Sequence, residues 1–122
     1  MRTLITTVLA TLATVAASQQ ATVTPTEMAL LEAAFNGELA TVERLVVDGT
    51  PVETCDEERR TPLMFAAFNG HRHVVGFLLV EGAGVDARDD SGRTALLYAS
   101  SGPFVETVEV LLDAGAEPNS QG

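Results

Sequence analysis

Residues 61–83 read TPLMFAAFNGHRHVVGFLLVEGA, and this stretch decides the fold because it fits a helix, a tight turn, a second helix and a glycine stop. Thr61 is placed to cap a helix whose first residue is Pro62, where the missing N–H is harmless because that donor would be unpaired anyway. Leu63, Ala66 and Ala67 follow at helical spacing, and Gly70 supplies the positive φ that ends a helix. Val75, Leu78 and Leu79 form a second apolar stripe at i, i+3 and i+4, with Gly82 as its stop. Two helices of two to three turns cannot bury both faces alone. Such a unit must stack on neighbours.

The neighbours are in the chain. A shift of 33 residues upstream takes Ala66, Ala67, Phe68, Asn69 and Gly70 onto Ala33, Ala34, Phe35, Asn36 and Gly37. Downstream it takes Thr61, Leu63, Ala66, Val75, Leu78 and Leu79 onto Thr94, Leu96, Ala99, Val108, Leu111 and Leu112. A fixed internal period of this length signals a stacked-repeat architecture. With Thr61-Pro62-Leu63, Ala66-Ala67, Gly70-His71 and Leu78-Leu79 before Gly82-Ala83, the chain resembles the ankyrin-repeat family over residues 27–122. The resemblance implies an all-α solenoid of three stacked helix-turn-helix repeats, at about 28–60, 61–93 and 94–122, with β-hairpin-like fingers between them. Three repeats are about the minimum for a stable stack.

Seven arginines, no lysine and 17 acids give a net charge of −10. An acidic surface repels phosphate backbones and anionic lipid, so nucleic acid and membrane surfaces are poor partners and a basic protein is favoured. Equally, the charge keeps a small stack soluble. Cys55 is the single cysteine, which excludes an internal disulfide; in an oxidising space it allows a Cys55-linked dimer.

Residues 1–18, MRTLITTVLATLATVAAS, carry Arg2, an apolar stretch and then small residues, the layout of a secretory signal peptide. The stretch is short for a bilayer and is diluted by threonines, so no membrane insertion is expected after cleavage. Arginine as the sole basic residue in an Ala-, Val- and Gly-rich chain is associated with GC-rich bacterial genomes. The expected location is therefore periplasmic or secreted, and cytoplasmic if residues 1–18 are instead an extra helix. Residues 19–26 are expected to be a flexible linker leading into the repeats, although Thr24, Pro25 and Glu27 also have the pattern of a capping box. In the first finger Arg59 stands where the family has glycine, which leaves that finger's shape open. In the third repeat Pro103 replaces the turn glycine, and the turn is expected to alter by about a residue.

No motif for catalysis is present, and no cofactor is expected. His71 and His73 form an H-x-H pair, but residues two apart on a helix point about 200° from each other and no acidic or cysteine cluster completes a metal site. Cys55 lies among Asp56, Glu57 and Glu58, a poor setting for a nucleophile. The first expectation is a non-catalytic module that binds a partner protein through its concave groove and fingers. A dedicated inhibitor or immunity-type protein that blocks a cationic enzyme site, and metal or redox buffering through His71, His73 and Cys55, are the alternatives. The resemblance implies partner contacts from the fingers and the ends of the first helices. These are Phe35 and Asn36; Glu57, Glu58, Arg60, Phe68 and Asn69; and Asp90, Ser91 and Arg93. Phe35 and Phe68 would be apolar anchors, or else would stack on one another and extend the core.

Overall fold

The computed structural model of the chain describes residues 24–117. The described residues form three helix pairs: α1 (Pro25–Asn36) with α2 (Leu39–Val47), α3 (Pro62–Phe68) with α4 (Arg72–Val80), and α5 (Ala95–Ser100) with α6 (Val105–Asp113). The second helices begin at Leu39, Arg72 and Val105, so the sequence period of 33 is kept in space. α1 packs on α3 and α3 on α5, while α2 packs on α4 and α4 on α6, giving two parallel layers of helices.

Each first helix starts at a threonine. The hydroxyls of Thr24, Thr61 and Thr94 accept from the backbone N–H of Glu27 (3.2 Å), Met64 (3.3 Å) and Leu97 (3.3 Å). Such a cap stabilises by about 1 kcal/mol, which matters for α3 and α5 because helices of two turns are marginal by themselves. Between the layers lie Leu30, Ala33 and Ala34; Leu63, Ala66 and Ala67; Leu96 and Ala99; and Val42, Val75, Leu78 and Leu111, all buried. Ala33, Ala66 and Ala99 occupy equivalent places in the three pairs, where a small side chain lets neighbouring helices approach. Burial at this position differs along the stack: Leu78 and Leu111 are buried, whereas their counterpart Leu45 is only half-buried.

Thr24 and Glu27 make a full capping box around Pro25, so residues 24–26, counted with the linker, belong to α1 and its cap. The signal peptide expected at residues 1–18 and the rest of the linker lie outside the described residues. No helix among the described residues is long and apolar enough to cross a membrane.

The fingers at residues 51–60 and 84–93 contain no strand among the described residues. Each is closed by two backbone hydrogen bonds, Asp56 N–H to Arg60 C=O (3.1 Å) with Arg59 N–H to Asp56 C=O (2.9 Å), and Asp89 N–H to Arg93 C=O (3.0 Å) with Gly92 N–H to Asp89 C=O (2.9 Å). That is a tight turn, too short for a ladder. The first finger nevertheless keeps the shape of the second: Arg59 adopts φ 64, beside φ 80 at Gly92. The left-handed conformation is thus imposed on an arginine by the turn around it.

The third inter-helix turn differs in the same local way. Repeats one and two pass through Gly37 (φ 75) and Gly70 (φ 70), a conformation closed to Pro103. α5 instead ends at Ser100, and Ser101, Gly102 and Pro103 make the turn, yet α6 starts in register with α4. The expected one-residue alteration is absorbed within the turn.

Candidate functional site

An aspartate organises each finger. Asp56 accepts from the backbone N–H of Glu58 and Arg60 (both 2.9 Å) and from the Arg60 guanidinium (Nε 2.8 Å, Nη2 2.7 Å). Asp89 repeats the arrangement 33 residues later, with the N–H of Ser91 and Arg93 (both 2.9 Å), Arg93 Nε (3.2 Å) and, in addition, the hydroxyl of Tyr98. Burial pushes both carboxyls up, but the donors outweigh it. At Asp56 these are the Arg60 side chain and the two N–H groups; at Asp89 they are Tyr98, the two N–H groups and the Arg93 charge. Both aspartates end below the usual carboxylate range. Burial and the Asp89 carboxylate together push the Tyr98 phenol up to about 12.

Held in this way, each arginine lies over a ring on the following helix: Arg60 over Phe65 and Arg93 over Tyr98, both 5.1 Å from the ring centroid. Each cation–π contact contributes about 0.5–1 kcal/mol where partly exposed. The second finger is tied to the first by Asp90 N–H donating to the Glu58 C=O (2.9 Å). Glu53 and Asp86, also 33 apart, accept from the N–H of Gly84 (2.6 Å) and Glu117 (3.2 Å), which links each finger base to the next.

Behind the fingers, rings from α1, α3 and α5 run along the inner face of the stack. Phe35 and Phe68 are stacked at 6.3 Å and 15°, Phe65 meets Phe35 edge-on at 5.9 Å, and Tyr98 meets Phe68 edge-on at 6.0 Å. The rings are neighbours and still reach water, Phe35 with 38% and Phe68 with 47% of its surface exposed. The two readings of these phenylalanines, anchors or an extended core, therefore describe the same rings: they brace one another with one side and present the other.

Two depressions open on this face. One of about 100 Å³ lies among Phe35, Arg60, Met64, Phe65, Phe68 and Tyr98. The larger, about 710 Å³, has Met28, Leu31, Phe35 and Phe65 as its apolar part and Glu32, Asp56, Glu57, Glu58 and Arg60 as its charged part. Four carboxylates face one guanidinium, and that guanidinium is already paired with Asp56 at 2.7 Å and Glu58 at 3.7 Å. The volume lies within the roughly 300–1,000 Å³ typical of binding sites.

The structure thus brings Phe35, Phe68, Glu57, Glu58 and Arg60 to one groove. Asp90, Ser91 and Arg93 lie on the second finger, with Arg93 engaged by Asp89 and Tyr98. Asn36 is exposed beside the groove end of α1. Asn69 serves the fold: its side-chain amide donates to the Phe35 C=O (2.8 Å), joining the first two repeats. Met28, Leu31, Glu32, Met64, Phe65 and Tyr98 were not expected in the groove. The signal for Phe65 and Tyr98 is in the sequence, as the repeated spacing Asp56-x3-Arg60-x4-Phe65 and Asp89-x3-Arg93-x4-Tyr98.

His71 Nε2 is 3.0 Å from the Phe35 C=O, and the ring lies so close over Gly37 that a Cβ there would overlap it. Phe104 covers Gly70 in the same way one repeat later, so this position packs one repeat on the previous one. His73 and Cys55 are exposed. Among the described residues no three His, Cys, Asp or Glu side chains gather where they could hold a metal ion.

Comparison with known proteins agrees with the repeat geometry. The family model for ankyrin repeats matches residues 30–122, in three copies. No curated protein matches the chain significantly.

Proposed function

Because the chain belongs to the ankyrin-repeat family, whose members generally act as protein–protein interaction modules, we propose that it is a non-catalytic adaptor that grips a basic partner protein in the groove between its fingers and first helices. The observation that carries this reading is the coincidence of exposed, mutually braced rings with an acidic rim. An aromatic side chain held rigid by its neighbours loses little entropy on binding and can fill a partner's pocket. Glu32, Glu57 and Glu58 add long-range attraction for a cationic surface, which raises the encounter rate and orients the approach.

The fingers supply positioning. Glu58 is fixed through its backbone by Asp56 on one side and Asp90 on the other, while its carboxylate is 62% exposed and lies 3.7 Å from the Arg60 guanidinium. An inhibitor that blocks a cationic enzyme site would use the same surface and would differ only in the consequence of binding. The apolar leader at residues 1–18 supports export, so the partner is to be sought in the cell envelope or medium. The test is affinity capture from those fractions with the full chain as bait, in parallel with the Phe35→Ala/Phe68→Ala double variant. Loss of the captured protein with the variant is expected, and equal recovery would refute the groove as the contact surface.

A further inference from the structure

We infer that the groove is selective for arginine: it takes a partner segment that presents one arginine beside an aliphatic side chain, with the guanidinium laid on the Phe35 ring and its donors directed to the acidic rim. This deepens the reading above and rests on the groove being the contact surface. The molecule already contains the recognition unit twice, in Arg60 over Phe65 with Asp56 and in Arg93 over Tyr98 with Asp89. At Phe35 the ring shares its recess with carboxylates, and the guanidinium that lines the same recess, that of Arg60, lies over Phe65 instead. Its nearest ring neighbours are Phe65 and Phe68, and Glu32, Glu57 and Glu58 share its recess.

Charge complementarity names the occupant. The recess carries an excess of three carboxylates over a floor that includes Met28 and Leu31, so it fits a cation with an apolar neighbour. Arginine fits better than lysine for three physical reasons. Its guanidinium is planar and stacks on a ring face; its forked donors can serve two carboxylates at once; and it gives up hydration more readily than an ammonium. An isolated acidic patch would not make that distinction. A ring face joined to several carboxylates does.

The experiment is selection of a displayed random 12-residue peptide library on the immobilised full chain, followed by calorimetry on the best peptides after resynthesis. Selected peptides are expected to share an arginine next to an aliphatic residue. Exchange of that arginine for lysine is expected to weaken binding about tenfold. Phe35→Leu keeps apolar bulk without a ring face, and is expected to reduce the arginine-over-lysine ratio to near one; Glu32→Gln tests the rim without disturbing packing and is expected to weaken the arginine peptide and its lysine counterpart together. Peptides that depend on Phe35 and Phe68 yet bind equally well with lysine would overturn the arginine inference and leave the groove standing. Peptides indifferent to Phe35→Ala, or no selected peptide at all, would overturn both.

Discussion

Replacing Arg59 by glycine should stabilise the protein. Arg59 sits at φ 64, and Gly92, its counterpart in the second finger, at φ 80. A residue with a Cβ in the left-handed region costs roughly 1–2 kcal/mol, whereas glycine loses more chain entropy on folding, about 0.5–1 kcal/mol relative to alanine. The difference makes Arg59→Gly more stable by about 0.5–1 kcal/mol, and Gly92→Ala less stable by a similar amount. In a domain of this size that is a shift of roughly 2–8 °C in Tm, upward for the first and downward for the second. Arg59→Ala keeps the strain while removing the charge of an exposed side chain, so it should leave Tm nearly unchanged. Urea melts would show the same order in the midpoints with a constant m value. A fall in stability for Arg59→Gly, or a rise equalled by Arg59→Ala, would refute backbone strain as the cause. Because the Asp56 hydrogen bonds that shape the finger do not involve the Arg59 side chain, peptide and partner binding should persist in all three variants.

Tyr98→Phe removes the hydroxyl that Asp89 accepts and reproduces the geometry of the second repeat, where Phe65 holds this place. A hydrogen bond to a charged group contributes about 1.5–3 kcal/mol, so a loss of about 1–2 kcal/mol in urea melts is expected at this partly exposed site; no loss would show the bond to be idle. Asp56 and Asp89 are held below the ordinary carboxylate value, so the folded state binds fewer protons than the unfolded state as the solution is acidified. Their contribution is complete above the usual carboxylate range and disappears as pH falls through their lowered values. Melts between pH 2 and 6 should therefore show stability rising with pH, with a shallower slope in Asp89→Asn. At the alkaline end the sign reverses: the folded Tyr98 keeps its proton up to about 12 while an unfolded tyrosine ionises near 10, so stability should fall across that interval. Finally, Glu57→Gln with Glu58→Gln should flatten the salt dependence of partner binding and change Tm little, since the Glu58–Arg60 pair at 3.7 Å is exposed and such pairs contribute little to stability.

The stack was legible because each of its requirements leaves a local mark. Thr24, Thr61 and Thr94 mark helix starts, Gly37 and Gly70 mark turns, and the 33-residue spacing of Ala33, Ala66 and Ala99 marks the face on which the units meet. Arg59 left the finger's shape open for an equally local reason: propensity disfavours arginine at positive φ, but the hydrogen bonds Asp56 accepts from the Glu58 and Arg60 N–H groups close the turn regardless. Pro103 forbids the glycine conformation, yet the stripe Val108, Leu111 and Leu112 keeps the 33-residue spacing, and α6 accordingly starts in register with α4.

The groove itself was half legible. Phe35 and Phe68 stood out as large apolar residues at the ends of first helices, where this fold expects exposure. Asn69 shares that neighbourhood but turns to the Phe35 carbonyl, a choice set by the adjacent repeat and invisible in one repeat's sequence. Phe65 and Tyr98 look like ordinary helix-face residues until Arg60 and Arg93 are seen lying over them. Glu32 joins the rim because it stands in the first repeat where the other two carry a ring, a comparison that gains meaning only once the three first helices are side by side.

The most direct measurement is carboxylate footprinting of the full chain, with and without its captured partner, by carbodiimide coupling and mass spectrometry. Glu32, Glu57 and Glu58 line the groove, while Glu43, Glu81 and Glu109 are exposed on or beside the second helices. If the partner lies in the groove, labelling of the first three falls and labelling of the others stays constant. Protection of Glu43, Glu81 and Glu109 with the groove carboxylates still fully labelled would contradict the account.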